Sequence, residues 1–131
     1  MPYRVLIVDD QVLPRQLFAS IIASSDRYEL VDMIDTAKIA DTYCARGGVD
    51  LVLMDVVMPN LNGFQATRTL KREASTTHIP VVLVTTKDQD TDRLWGMRQG
   101  AKAYITKPFS EDELSEVIAR VFAGGGDLPE A

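Results

Sequence analysis

Short apolar runs alternate with amphipathic segments along this chain of 131 residues. Five of the runs predict β-strands, because they are rich in aliphatic and β-branched residues and end at polar or turn-forming residues. Three are nearly continuous apolar stretches, which is typical of strands covered on both faces. The predicted strands are Arg4–Val8, Glu29–Ile34, Leu51–Met54, Val81–Val84 and Ala103–Ile105.

The segments between these runs have helical periodicity. Apolar positions spaced three and four residues apart predict five helices, each with one apolar face. The faces comprise Leu13, Leu17, Phe18, Ile21 and Ile22; Ile39, Ala40, Tyr43 and Cys44; Phe64, Ala66, Thr67 and Leu70; Leu94, Met97, Arg98 and Ala101; and Leu114, Val117, Ile118, Val121 and Phe122. Regular alternation of strand and helix predicts an α/β fold with a parallel sheet and right-handed crossovers.

We therefore expect a doubly wound, flavodoxin-like (βα)5 sheet with strand order 2-1-3-4-5. The length suits one domain, which we place at residues 1–123. Residues 124–131 begin with three glycines and have no periodicity, so they are predicted to form a flexible tail.

Capping and turn signals support the helix positions. Pro14 suits a first helical turn, and Asn62 before Gly63 marks a loop-to-helix junction. Ser110, three residues before Glu113, has the spacing of a capping box. Gly100 is typical of a helix end.

Polar residues occur where four of the predicted strands end. Asp9 and Asp10 follow the first strand, Asp55 follows the third, Thr85 the fourth and Lys107 the fifth. The carboxyl ends of parallel strands meet at one edge of a sheet, where ligands bind. We therefore expect three carboxylates, a hydroxyl and an ammonium group to lie close together.

The chemistry of this set favours a metal-assisted phosphoryl acceptor. Closely spaced carboxylates repel one another unless they are protonated or bind a cation. Mg²⁺ prefers oxygen ligands, and neither cysteines nor histidines form a cluster that would indicate zinc. An aspartate can accept a phosphoryl group covalently, while Lys107 and Thr85 could bind phosphoryl oxygens.

Composition narrows the class of protein. The net charge is −5, which argues against nonspecific nucleic-acid binding. The single cysteine, Cys44, falls on an apolar helical face and is expected to be a buried thiol, while His78 is expected to be a solvated loop residue. No signal peptide or apolar span is evident, so a cytoplasmic, reducing location is predicted, with no membrane association.

The chain resembles the receiver domain of two-component response regulators over about residues 3–123. The matching segments are Leu6-Ile-Val-Asp-Asp10, Leu53-Met-Asp-Val-Val-Met-Pro59, Asn62-Gly63, Val84-Thr-Thr86, Gly100-Ala101 and Tyr104-Ile-Thr-Lys-Pro-Phe109. The resemblance implies that Asp55 is the phosphoacceptor and that Asp9 and Asp10 are the acid pair that holds Mg²⁺. It also implies that the backbone carbonyl of Val57 is a further metal ligand.

The same resemblance assigns roles on the neighbouring strands. Thr85 and Lys107 would bind the phosphoryl group, and the peptide between Lys107 and Pro108 would be cis. Tyr104 matches the aromatic residue of the family's conformational switch and would be coupled to Thr85. The simpler interpretation of Tyr104 is a strand aromatic that packs on the fourth helix.

The resemblance also implies partners. A histidine kinase would donate the phosphoryl group, and an unknown output protein would bind the face of helix 4, strand 5 and helix 5. We expect a monomer or a weak homodimer that does not contact nucleic acid directly. Intrinsic catalysis would be limited to self-phosphorylation and self-dephosphorylation, so the chain is not expected to be an enzyme.

The two halves of the chain resemble different members of this family. The segment from Asp9 to Val31 is similar to receivers of regulators with LuxR-type output domains. The segment from Gly63 to Ala101 is similar to single-domain receivers of twitching-motility systems. An engineered chimera joined near Asp55 and a natural divergent receiver both fit this pattern.

Two other functions fit the same residues. A designed or chimeric scaffold would keep the fold without a signalling partner. A small phosphohydrolase would form an aspartyl-phosphate intermediate, but haloacid-dehalogenase-like enzymes have a second acid where Val57 stands here.

Trp95 is expected to pack in the core, with contact to a partner protein as the alternative. Arg68, Lys71 and Arg72 are expected to form a solvated basic face on the third helix.

Overall fold

The computed structural model describes residues 2–23, 26–37, 40–57 and 62–123. Within these ranges, five strands and five helices alternate along the chain. The strands are β1 (Tyr3–Val8), β2 (Tyr28–Ile34), β3 (Leu51–Met54), β4 (Val81–Thr85) and β5 (Ala103–Thr106). The helices are α1 (Val12–Ala23), α2 (Ala40–Ala45), α3 (Gly63–Arg72), α4 (Asp90–Arg98) and α5 (Glu111–Ala123).

The strands form one parallel sheet in the order β2-β1-β3-β4-β5, so the predicted fold class is confirmed. Each strand lies within one residue at either end of its predicted bounds. Central β1 pairs with β2 on one side and β3 on the other, and Val8 lies opposite Met54. No helix in the described ranges has the length and apolar character needed to cross a membrane.

The sheet separates two apolar cores. Alternate strand residues point to opposite faces, so Leu6 and Val8 pack on one side while Val5 and Ile7 pack on the other. Helices α1 and α5 cover the second side, and α2, α3 and α4 cover the first. All four of these strand residues are completely buried, which is why both faces of the strand read as apolar in sequence.

Most predicted helix faces are confirmed. Phe18, Ile21 and Ile22 of α1 are buried, as are Ala40 and Cys44 of α2. Helices α3 and α5 bury their expected residues too, with Phe64 and Phe122 partly buried at the margins. Ile39 and the predicted tail at residues 124–131 lie outside the described residues, as do the side chains of Leu13 and Leu17.

The predicted face of α4 is wrong in part. Leu94 is 48% exposed and Trp95 is 51% exposed, whereas Met97 packs against the core. Gly96 faces the sheet instead. It packs so closely there that a Cβ atom would lie about 3 Å from the side chains of Leu83 and Tyr104. Residues one and two positions earlier then point away from the core, so the expectation that Trp95 is a core residue fails.

The basic face on α3 also differs from expectation at one position. Arg68 and Arg72 are exposed as predicted, but Lys71 is half-buried. Its ammonium group donates hydrogen bonds to the backbone carbonyls of Thr77 and Ile79. Lys71 therefore fastens the loop that follows α3, and burial lowers its pKa.

The capping predictions hold in the structure. The Asn62 side chain accepts a hydrogen bond from Gln65 N–H at 2.9 Å, which completes a capping box at the start of α3. Ser110 Oγ accepts one from Glu113 N–H at 3.0 Å at the start of α5. Gly100 after α4 has φ of +106°, a conformation that suits glycine.

Gly63 allows α3 to begin directly against the segment that carries Asp55. A Cβ atom at Gly63 would meet the carbonyl oxygen of Asp55 and would lie 2.9 Å from Val56 Cα. The Gly63 N–H donates to the Val56 carbonyl at 3.0 Å, so the two backbones are already in contact. Any larger residue must push them apart.

We expect Gly63→Ala to lower the free energy of unfolding by about 3 kcal/mol, because backbone atoms cannot yield as a flexible side chain can. Gly47→Ala is the matched control, since nothing lies within 4 Å of its Cβ position and the cost is only that of a positive φ, about 1 kcal/mol. Urea unfolding of the three proteins measures both effects. Equal losses would show that the close approach at Gly63 is not what limits this position.

Candidate functional site

The sheet itself brings Asp9 and Asp55 side by side. The hydrogen-bond ladder continues one residue past the strands, since Asp55 N–H donates to the Val8 carbonyl at 2.9 Å and Asp9 N–H donates to the Ile34 carbonyl at 3.0 Å. The two aspartates therefore leave adjacent parallel strands at the same level. Their side chains share the crevice at the carboxyl edge of the sheet, as the sequence predicted.

Three carboxylates meet at this edge. Asp9, Asp10 and Asp55 each contribute an oxygen, and the three oxygens lie within 4.8 Å of one another. Asp9 is completely buried and Asp55 nearly so, whereas Asp10 is exposed. The cluster thus has a buried floor and one carboxylate that faces solvent, where a cation could enter.

Lys107 partly neutralises the buried pair. Its Nζ donates to Asp9 Oδ2 at 2.7 Å and to Asp55 Oδ2 at 3.3 Å, and its side chain is 11% exposed. The residue is held in place by its own backbone, because Lys107 N–H donates to the Thr85 carbonyl at 2.7 Å. The peptide between Lys107 and Pro108 is cis. One ammonium group against three carboxylates leaves a negative site.

Backbone amides hold the other oxygens of the buried carboxylates. Gln11 N–H donates to Asp9 Oδ1 at 2.9 Å, and Val57 N–H donates to Asp55 Oδ1 at 3.2 Å. Burial nevertheless raises the pKa of Asp9 above its ordinary value, because removal from water outweighs the hydrogen bonds from Lys107 and Gln11. Ionised Asp9 is therefore held in an unfavourable setting that a further cation would relieve.

Thr85 and Tyr104 both form a hydrogen bond with the backbone of Lys87. Thr85 is completely buried, and its Oγ1 accepts a hydrogen bond from Lys87 N–H at 3.4 Å. The Tyr104 hydroxyl donates to the Lys87 carbonyl at 2.8 Å. Tyr104 is only 4% exposed, and burial raises its pKa to about 12. The backbone of Lys87 therefore links Thr85 and Tyr104, the two predicted switch residues.

Two residues that hold Tyr104 were not predicted from the sequence. Gly96 provides the space against which its ring lies. Arg93 places its guanidinium 5.4 Å from the ring centroid and donates to the Tyr104 carbonyl at 3.2 Å. Gly96 inside a predicted helix is a signal of close packing that could have been used, whereas nothing in the sequence marks Arg93 among the other surface cations.

The donor set fits a hard divalent cation such as Mg²⁺. All three clustered side chains offer carboxylate oxygens, which Mg²⁺ prefers. The structure describes no other group of three or more acidic, histidine or cysteine side chains close enough to share an ion. Every buried polar side-chain atom in the described ranges has a hydrogen-bond partner.

Comparison with known proteins assigns the family. The family model for the response regulator receiver domain matches residues 5–119, which is most of the chain. The chain is a response regulator receiver domain. This confirms the family that the sequence resembles, and with it a role in two-component signalling.

Curated relatives support the assignment over both halves of the chain. Protein PilH of Pseudomonas aeruginosa is 44% identical, and the match covers 92% of this chain and 98% of that protein. The response regulator PleD of Caulobacter vibrioides is 39% identical over 85% of this chain, but this is only 24% of PleD. The match to PilH extends through both halves of the chain, although only the C-terminal half was expected to resemble a twitching-motility receiver. A chimeric origin stays a hypothesis.

Solved structures agree on the fold. The receiver domain of sensor histidine kinase PA1611 from Pseudomonas aeruginosa has a TM-score of 0.81 at 24% identity, covers 92% of this chain and was solved with magnesium coordinated in its active-site cleft. Chemotaxis protein CheY4 of Vibrio cholerae has a TM-score of 0.84 at 24% identity, and the match covers 92% of this chain and 99% of CheY4. The match to the PA1611 receiver covers 97% of that domain.

We expect Asp9→Asn to raise the urea midpoint of the receiver at pH 7 without divalent cations. Burial raises the folded-state pKa of Asp9, so the stability that its protonated form contributes is present at low pH and lost as the pH rises through that pKa. Asparagine mimics the protonated form at every pH. The advantage should therefore shrink as the pH falls toward 3.8, the ordinary value.

Asp26→Asn is the matched control, because Asp26 is exposed and lies outside the cluster. Unfolding curves for the parent and both variants, recorded in EDTA across this pH range, decide the matter. A lower midpoint for Asp9→Asn at pH 7 would mean that the contact with Lys107 outweighs the cost of burying the charge.

Proposed function

We propose that this receiver is a phosphorylation-dependent switch in which Asp55 accepts a phosphoryl group from a histidine kinase. One observation carries the proposal. The nearly buried Asp55 carboxylate lies within 4.8 Å of two other carboxylates and is also held by the ammonium group of Lys107. This combination supplies a nucleophile and the charge neutralisation that phosphoryl transfer requires.

The bond changes are simple. An Asp55 carboxylate oxygen forms a bond to phosphorus while the bond from phosphorus to the donor breaks; the donor is the phosphorylated imidazole of the kinase or a small molecule such as acetyl phosphate. The transition state is loose, so the protein mainly positions groups and balances charge. Hydrogen bonds from Val57 N–H and Lys107 Nζ hold the acceptor carboxylate in place before the reaction.

Asp9, Asp10 and Asp55 would hold Mg²⁺, and the Val57 carbonyl is the further ligand that the family resemblance implies. When bound, the ion neutralises negative charge on the phosphoryl oxygens and relieves the repulsion among the carboxylates. Lys107 would move part of its hydrogen bonding from Asp55 to a phosphoryl oxygen. The exposed position of Asp10 supports its role as the residue that an incoming ion contacts from solvent.

Thr85 would report the modification to the surface. If the Thr85 side chain moves so that its hydroxyl donates to a phosphoryl oxygen, Oγ1 leaves the position in which it accepts from Lys87 N–H. The Lys87 carbonyl also accepts the Tyr104 hydroxyl, so a shift of Lys87 changes what holds Tyr104 in its buried position. The face formed by α4, β5 and α5 would then bind an output protein of a cytoplasmic pathway.

Two rival functions make different demands. A phosphohydrolase would need an acid or another polar group to activate water near Asp55, and the position two residues on is Val57. A scaffold without a signalling role would have no need for the buried, unfavourable Asp9. Turnover of an external phosphate ester would support the first rival, and failure to accept a phosphoryl group would support the second.

We expect the protein to gain one phosphoryl mass after incubation with acetyl phosphate and Mg²⁺, and to gain none in EDTA. Asp55→Asn should abolish the gain, because the amide cannot form the acyl phosphate. Asp112→Asn, which removes an exposed carboxylate at the start of α5, should gain mass like the parent. Intact-mass spectrometry gives the answer, and a modified Asp55→Asn protein would refute the assignment of the acceptor.

A further inference from the structure

A basic groove lies between α3 and α4. It has a volume of about 420 Å³ and is lined by Arg68, Lys71, Arg72, Trp95, Arg98 and Gln99. Residues 68, 71 and 72 share one face of α3, and residues 95, 98 and 99 share one face of α4, because positions three and four apart are neighbours on a helix. None of these residues belongs to the carboxylate cluster.

The groove concentrates positive charge in an acidic protein. Four of its lining residues are cations and none is an acid, while the whole chain has a net charge of −5. Lys71 uses its ammonium group on the carbonyls of Thr77 and Ile79. The guanidinium groups of Arg68, Arg72 and Arg98 have no ion pair with any described residue, and all three residues are exposed.

A structural role explains only part of this cluster. Arg72 and Arg98 lie in the last turns of their helices, where cations stabilise the helix macrodipole. Arg68 lies a full turn earlier and gains little from that effect. Three exposed arginines without an ion pair among the described residues leave positive charge in one groove, which an anionic partner would neutralise.

Trp95 adds an apolar surface to the groove. Its side chain is 51% exposed beside Arg98, and Leu94 next to it is 48% exposed. Exposed tryptophan and arginine are the residue types that contribute most to protein–protein binding, tryptophan through its area and arginine through paired hydrogen bonds to carboxylates. An isolated structural arginine cluster would not need a neighbouring indole.

We propose that the α3–α4 groove binds an acidic segment of a partner protein, with carboxylates on the three arginines and an aliphatic side chain against Trp95. A protein segment fits better than a nucleic acid, because the chain's net negative charge and its carboxylate cluster repel a long polyanion. Helix α4 lines this groove with Trp95, Arg98 and Gln99 and also belongs to the face of α4, β5 and α5.

The test uses a fluorescein-labelled decapeptide in which Glu and Asp alternate with Leu, titrated with the full chain and followed by fluorescence anisotropy. We expect saturable binding that weakens as salt is added. The double variant Arg68→Gln/Arg72→Gln should bind at least about tenfold more weakly, and Trp95→Ala should weaken binding as well. Urea unfolding verifies that each variant is folded.

The matched control removes two exposed arginines elsewhere, Arg46→Gln/Arg120→Gln, and should change the affinity by no more than about twofold, since distant surface charges are screened. A peptide with Gln and Asn in place of Glu and Asp should not bind. Three results would overturn the proposal: no binding of the acidic peptide, equal losses in the groove and control variants, or tighter binding of a ten-nucleotide single-stranded DNA than of the peptide.

Discussion

The buried contact of the Lys107 ammonium group with Asp9 and Asp55 is the interaction on which the rest of the site depends. It joins the carboxyl ends of β1, β3 and β5. In sequence, Lys107 is 98 positions from Asp9 and 52 positions from Asp55. Removing Lys107 would leave two buried carboxylates without a cation, at a typical cost of about 3–5 kcal/mol. The contact is therefore a structural junction of the sheet edge as well as part of the proposed acceptor site.

This contact also bears on the proposed phosphorylation switch. Lys107 cannot neutralise three carboxylates alone, and burial raises the pKa of Asp9 despite that contact. The resting site thus holds unrelieved negative charge that a divalent cation can bind. A phosphoryl group on Asp55 would change the hydrogen-bond partners of Lys107 and Thr85 together, and Lys87 connects Thr85 to Tyr104.

The sequence predicted the sheet and the clustered residues well because their signals are local. Apolar runs such as Leu51–Met54 are fully buried, and the polar residue that follows each run must lie at the edge of the sheet. Packing between elements was harder to predict. Trp95 is exposed because Gly96 packs against Tyr104, a contact fixed by the rotation of α4 on the sheet rather than by the apolar pattern of the helix.

Several other features of the structure could not be predicted from the sequence at all. The contact of Arg93 with Tyr104 and the hydrogen bond from Tyr104 to the Lys87 carbonyl depend on exact side-chain positions. The α3–α4 groove requires two helices to present their basic faces to each other, and each face by itself resembles an ordinary solvated surface. Such pairings of distant residues carry no periodic signal.

The most direct test of the proposed metal-binding acceptor site is anomalous diffraction from crystals of the protein grown with Mn²⁺, which takes the same oxygen ligands as Mg²⁺. We expect one strong anomalous peak among the carboxylates of Asp9, Asp10 and Asp55, with Lys107 still in contact with the buried pair. Absence of a peak there, or a stronger peak elsewhere on the molecule, would contradict the assignment of this site.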